Sequence, residues 1–233
     1  MKKYCPRCGT LLKIMFEEWS NCAKCNWTGL PADAMPEPRL AVCPAMRQYL
    51  SIDIETTGLD PDTCQILEIG AVLDDWQRPV DRLPVYHRLV VHPQYRGDAY
   101  ALALNSKLLK RLAGPQDSDF RAPDQIADDF RRWLQLQGWD GDKSLTPAGK
   151  NFASFDKQFL KRLPGFERAV PLSHRTIDPA ILFWNPATDD KLPDSKTCYE
   201  RAGLDGKVAH TAVEDALAVV KLIRFSINRL VEQ

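Results

Sequence analysis

Asp53 and Glu55 stand two residues apart in YLSIDIETTGL (residues 49–59), a run that otherwise suits a buried strand. Side chains alternate across a strand, so Leu50, Ile52 and Ile54 share one face and Ser51, Asp53 and Glu55 the other. Carboxylates that close repel one another unless positive charge lies between them. Taken alone, the pair fits an edge strand with a solvated face equally well. Two further aspartates change the balance. In KNFASFDKQFLKRL, Asp156 precedes Phe159, Leu160 and Leu163 by three, four and seven residues, on the apolar side of a helix. In HTAVEDALAVVKLI, Asp215 stands in the same relation to Ala218, Val219 and Leu222. Inward acids are costly unless a cation or a donor meets them. Asp53, Glu55, Asp156 and Asp215 are therefore expected to form an oxygen-ligand set for a hard cation, Mg²⁺ or Mn²⁺.

Such a set must be assembled by the elements that carry it. Apolar patterning predicts strands over 49–56, 65–75 and 85–93, and helices over 104–113 and 124–138. A short strand in 144–151 leads into a helix over 154–163, and another in 174–183 runs into a helix. A helix over 195–204 is ended by Gly203, and a long amphipathic helix spans 211–230. Three strands followed by alternating helix and strand predict an α/β domain with a mixed central sheet flanked by helices.

DIETTGL, NFASFD and HTAVED resemble, in order and type, the three motifs of the DEDD 3′–5′ exonuclease superfamily. His210, five residues before Asp215, resembles the DEDDh branch. The DEDDy branch has a tyrosine four before that aspartate, where this chain has Thr211. The resemblance covers about residues 48–230. It implies an RNase H-like fold and two-metal hydrolysis at the 3′ ends of single-stranded DNA or RNA. Asp53 would bridge two Mg²⁺ or Mn²⁺ ions. Glu55 and Asp215 would complete the site beside the attacking water, and Asp156 would act on the other ion, largely through water. His210 would be the general base, kept neutral by the nearby cations.

The resemblance also assigns Leu59 to the terminal base, with Thr56 and Gly58 beside it. Asn151 is either a substrate contact or a turn residue. Phe152 or Phe155 either stacks on a nucleotide or packs in the helix core. Glu68 and Glu214 read as non-ligands, and His87, His92 and His174 as ordinary strand or loop residues. DNA is slightly favoured as substrate. An RNA trimmer of the oligoribonuclease or RNase T kind is one alternative. A non-catalytic nucleic-acid- or protein-binding module on an exonuclease scaffold is another, against which the complete acid set and His210 argue.

Upstream, Cys5-Pro-Arg-Cys8 and Cys22-Ala-Lys-Cys25 each place two thiolates where one ion can take both, thirteen residues apart. Residues 1–30 thus resemble a zinc ribbon holding one structural Zn²⁺. A redox role is the competing reading, but two copies outside a βαβ setting argue against it. The module either contacts nucleic acid or is a partner-docking or purely structural unit. Residues 31–47, with Pro31, Pro36, Pro38 and Pro44, read as an extended linker, and 48–233 as the exonuclease domain. Lysine plus arginine equal aspartate plus glutamate, 31 to 31, so nucleic acid must be held by local patches rather than a global field. No apolar run reaches the roughly 18 residues of a membrane span. The start, MKKYCPRCGT, has no apolar signal core, so a reducing cytoplasm is the expected setting.

Overall fold

The computed structural model describes residues 48–204 and 211–231, together with three short strands nearer the N-terminus. Contacts divide the chain into two units, Met1–Met46 and Arg47–Gln233. In the first, β1 (Lys13–Phe16), β2 (Trp19–Asn21) and β3 (Thr28–Gly29) form an antiparallel sheet in that order. The expected zinc ligands Cys5, Cys8, Cys22 and Cys25 lie outside the described residues, as does the proline-rich segment 31–47.

The second unit is built on a five-stranded mixed sheet. Its strands are β4 (Gln48–Thr56), β5 (Ile66–Asp75), β6 (Val85–Val90), β7 (Phe120–Arg121) and β8 (Pro147–Ala148). They lie in the order β7-β6-β5-β4-β8. The first three pair antiparallel, while β8 joins β4 and β7 joins β6 in parallel. Around the sheet are α1 (Ala99–Leu104), α2 (Ser106–Leu112), α3 (Ile126–Leu136), α4 (Asp156–Leu160), α5 (Phe166–Ala169), α6 (Ser195–Ala202) and α7 (Ala212–Val231). No helix among the described residues is long and apolar enough to cross a membrane.

Alternation along the strands gives the sheet two buried faces. Leu50, Ile52 and Ile54 of β4 and Ile69, Ala71 and Leu73 of β5 pack against α3, α4 and α5, around Phe130, Phe159 and Phe166. On the other face, Tyr49 and Val72 pack against Ala216, Val219, Val220 and Ile223 of α7. The polar side of β4 is therefore covered by a helix and is not open to solvent.

Four details depart from the patterned expectation. The helix expected over 104–113 is two helices, broken at Asn105, whose Nδ2 donates to the Thr56 carbonyl at 3.0 Å. That buried side-chain bond outweighs helical continuity. The two-residue strand β7 and four-residue helix α5 are too short to leave a periodic signal. The helical part of 174–183 is a 3₁₀ helix over Pro179–Phe183, capped by Asp178, whose carboxylate accepts from Ala180 N at 2.9 Å.

Candidate active site

β4 carries Asp53 and Glu55 to its C-terminal end, on the face that α7 covers. The pairing puts Gly70 of β5 opposite Asp53 and Glu68 opposite Glu55. Gly70 decides how close α7 can come: a Cβ there would lie 2.2–2.4 Å from backbone atoms of Ala212 and Val213. With no side chain in the way, the first turn of α7 rests on the sheet and Asp215 meets the β4 acids. Ser51 Oγ fastens the next turn, donating to the Ala216 carbonyl at 2.8 Å. Farther along, Arg224 Nε donates to Asp74 Oδ1 at 3.0 Å.

The outcome is a cluster in which Asp53, Glu55 and Asp215 each offer a carboxylate oxygen within 4.8 Å of the others. Asp156 is not in that group, but it lies near enough for its charge to act on Asp53. β8 stops pairing at Ser51, and the amide of Ile54 donates instead to Asp156 Oδ1 at 3.2 Å. That bond fixes an acid only 3% exposed between the two β4 carboxylates. Burial first, then the charges of Asp156, Asp215 and Glu55, push the Asp53 carboxyl well above its usual range. Burial, with repulsion from Glu55, raises Asp156 to about 7. Carboxylates held this close repel one another and favour a shared cation. All-oxygen donors in this arrangement fit hard divalent cations.

Glu68 is buried beside the cluster yet stands apart from it. Its Oε1 lies 2.8 Å from His87 Nε2, and its Oε2 accepts from Ala212 N at 3.4 Å. It thus receives the start of α7 without joining the ligand set, as expected of a non-ligand. The hydrogen bond from His87 to Glu68 raises the imidazole pKa, so His87 leans toward its charged form. His92 Nε2 meets the Ile66 carbonyl at 2.8 Å, a structural contact.

The remaining expected residues fall out differently. His210 lies outside the described residues. Thr56 is buried, its hydroxyl donating to the Gly58 carbonyl at 2.7 Å, and holds the turn after β4. Gly58 packs too tightly on Asp98 and Cys64 to carry a Cβ. Leu59 projects from that turn, 77% exposed. Asn151 takes a left-handed backbone, φ 56°, and so has the turn role, while also lining the cleft beside Asp53. Phe152, expected among the substrate contacts, is 1% exposed within the core. Its ring fills space under the sheet, so core packing is the role that its position supports. Gly70 had a legible signal, since a glycine inside a strand pattern marks close backbone approach. The cleft-lining Lys150, Ser195 and Tyr199 left none, because nothing in their spacing links them to the acids.

No family model matches the chain. The oligoribonuclease of Vibrio vulnificus (strain CMCP6) is 26% identical over 145 residues, which are 58% of this chain and 75% of that protein. The oligoribonuclease of Buchnera aphidicola subsp. Acyrthosiphon pisum (strain APS) is 25% identical over 171 residues, 67% of this chain and 84% of its own. Among solved structures, the nuclease domain of 3′hExo, a DEDDh family member bound to rAMP, superposes with a TM-score of 0.53 at 14% identity. The match covers 80% of this chain and 92% of that one. E. coli exonuclease I in complex with a dT13 oligonucleotide gives 0.54 at 15% identity, over 80% of this chain and 43% of the longer one. The shared fold is thus the RNase H-like fold of these nucleases. With the three acid-bearing motifs in order, the chain is similar in sequence to these oligoribonucleases and in fold to DEDDh exonucleases.

Proposed function

We propose that the protein is a metal-dependent 3′–5′ exonuclease that trims short single-stranded nucleic acid, RNA in preference to DNA. The meeting of Asp53, Glu55 and Asp215 within 4.8 Å, with Asp156 locked alongside, carries this reading. Asp53, with acids on both sides, would hold two Mg²⁺ or Mn²⁺ ions. Glu55 and Asp215 would share one of them and Asp156 the other. When bound, a pair of divalent ions activates water and stabilises the departing 3′ oxygen. His210 would take the proton from the attacking water. Leu59, exposed at the turn that Thr56 and Gly58 shape, offers an apolar surface to the terminal base.

The preference for RNA rests on the two oligoribonuclease relatives and replaces the slight lean toward DNA. The fold itself does not choose, since exonuclease I was solved with dT13 and 3′hExo with rAMP. Cys5, Cys8, Cys22 and Cys25 would hold one structural Zn²⁺, in a module that engages nucleic acid or a protein partner. Cys64 and Cys198, free thiols among the described residues, suit a reducing cytoplasm.

End-labelled single-stranded RNA and DNA test the reading. A 5′ label should yield a ladder that shortens stepwise from the 3′ end with Mg²⁺ or Mn²⁺, and no ladder with EDTA. Asp53→Ala should abolish it. Equal trace degradation by both proteins would mark a contaminant and leave a binding module in place of an enzyme.

A further inference from the structure

We propose that Lys150, with Ser195, grips a backbone phosphate of the substrate other than the one being cut. This rests on the exonuclease reading above. A cleft of about 340 Å³ opens beside the acid cluster, with Asp53 and Asp215 on one side and Lys150, Ser195 and Tyr199 among its other walls. Ligand pockets run from about 300 to 1,000 Å³, so this one has room for a single nucleotide unit.

Lys150 is half-buried and held from both sides. The amide of Gly149 donates to the Ile177 carbonyl at 3.0 Å, and that of Asn151 to Asp178 Oδ2 at 3.0 Å. Its Nζ donates to Ser195 Oγ at 3.4 Å. Among the described residues, no carboxylate lies within ion-pair distance of it. Its charge acts on Asp194 and Cys198 nearby. The cleft is polarised, with Asp53 and Asp215 on one side and the Lys150 ammonium beside the Ser195 hydroxyl on another.

A half-buried ammonium that makes no direct ion pair among the described residues can take a phosphate oxygen as partner. A nucleic-acid strand supplies that partner at regular intervals. With the scissile phosphate at the acid end, a neighbouring phosphate reaches the ammonium, and the Ser195 hydroxyl offers a second donor. Lysine suits such a contact as a compact point charge. The enzyme then reads at least two consecutive phosphates, which ties its affinity to oligonucleotides rather than to single-phosphate esters. The competing possibility is a surface lysine lying over apolar side chains, with a hydroxyl nearby by chance.

The test pairs protein and substrate changes. Wild type, Lys150→Met and Lys150→Arg are assayed on pentanucleotides carrying one neutral methylphosphonate, moved through every non-scissile linkage. On the all-phosphate substrate, Lys150→Met should raise KM about tenfold, leave kcat within about twofold and lower the salt slope by about 1. Lys150→Arg should recover most of that loss. At one linkage the methylphosphonate should cost the wild type the same tenfold and cost Lys150→Met nothing more. If the two losses multiply at every linkage, or Lys150→Met lowers kcat alone, the assignment is wrong. The p-nitrophenyl ester of a nucleoside 5′-monophosphate, with its single phosphate, checks the parent reading in wild type. If neither ester nor oligonucleotide is cleaved, the exonuclease reading fails and the assignment falls with it. If both are cleaved and the losses multiply, the Lys150 assignment fails alone.

Discussion

Asp156 owes its pKa near 7 to burial before anything else, with Glu55 adding repulsion. Its unfolded value is that of an ordinary aspartate, about 3.9. The folded state therefore keeps a proton that the unfolded chain has lost across that window. Without divalent ions, stability should fall as pH rises above about 4, with the share due to Asp156 spent near 7. Bound cations need the carboxylates ionised, so the rise in Tm on adding Mg²⁺ should grow over the same range. Melts at pH 5, 6, 7 and 8, in EDTA and in Mg²⁺, check both slopes, and Asp156→Asn should make the first shallower. A metal-free Tm that climbs through this range would contradict the assignment. The four acids were legible because each sat against the apolar pattern of its own segment. Phe152 was legible only as an aromatic, and its depth depends on the sheet above it. The hold of Glu68 on the start of α7 was not legible, because it depends on a helix 144 residues away.

One face of β5 explains how α7 finds its place. Glu68, Gly70, Val72 and Asp74 meet α7 in turn, from the Ala212 amide to Arg224. At one end, Gly70→Ala would force the first turn of α7 outward. Overpacking of this kind costs about 1–3 kcal/mol. Urea denaturation should show that loss, and kcat should fall further than stability explains because Asp215 rides on the displaced turn. At the other end, Asp74 is fully buried and Arg224 also donates to the Asp75 and Arg78 carbonyls at 2.8 Å. Arg224→Met should cost about 3–5 kcal/mol, the penalty for stranding a buried charge. Activity per folded molecule should survive, since the site lies at the other end of the helix. The long elements were legible from periodicity: β4, β5, α3 and α7 carry enough residues to show one. The break at Asn105 was not, because it depends on a bond to the Thr56 carbonyl, 49 positions away.

The whole chain divides near Met46 and Arg47, and the second unit has buried cores on both faces of its sheet. Residues 47–233 should therefore fold alone, with a cooperative melt and metal-dependent activity on short substrates. A fragment that stays unfolded would show that the N-terminal unit completes the core. Within the larger unit, Phe130→Ala should cost about 3–5 kcal/mol. Its ring is fully buried, 4.3 Å from Tyr86 and 5.6 Å from Phe166 between centroids. What the chain does as a whole depends on convergence: β4 and α7 bring acids 162 positions apart in sequence, Asp53 to Asp215, to one point. Calorimetric titration of residues 1–233 with Mn²⁺, in the presence of a nucleoside 5′-monophosphate, measures that convergence directly. Two ions should bind per chain at the carboxylates, and Asp53→Asn should remove both. Identical Mn²⁺ binding by wild type and Asp53→Asn would contradict the account.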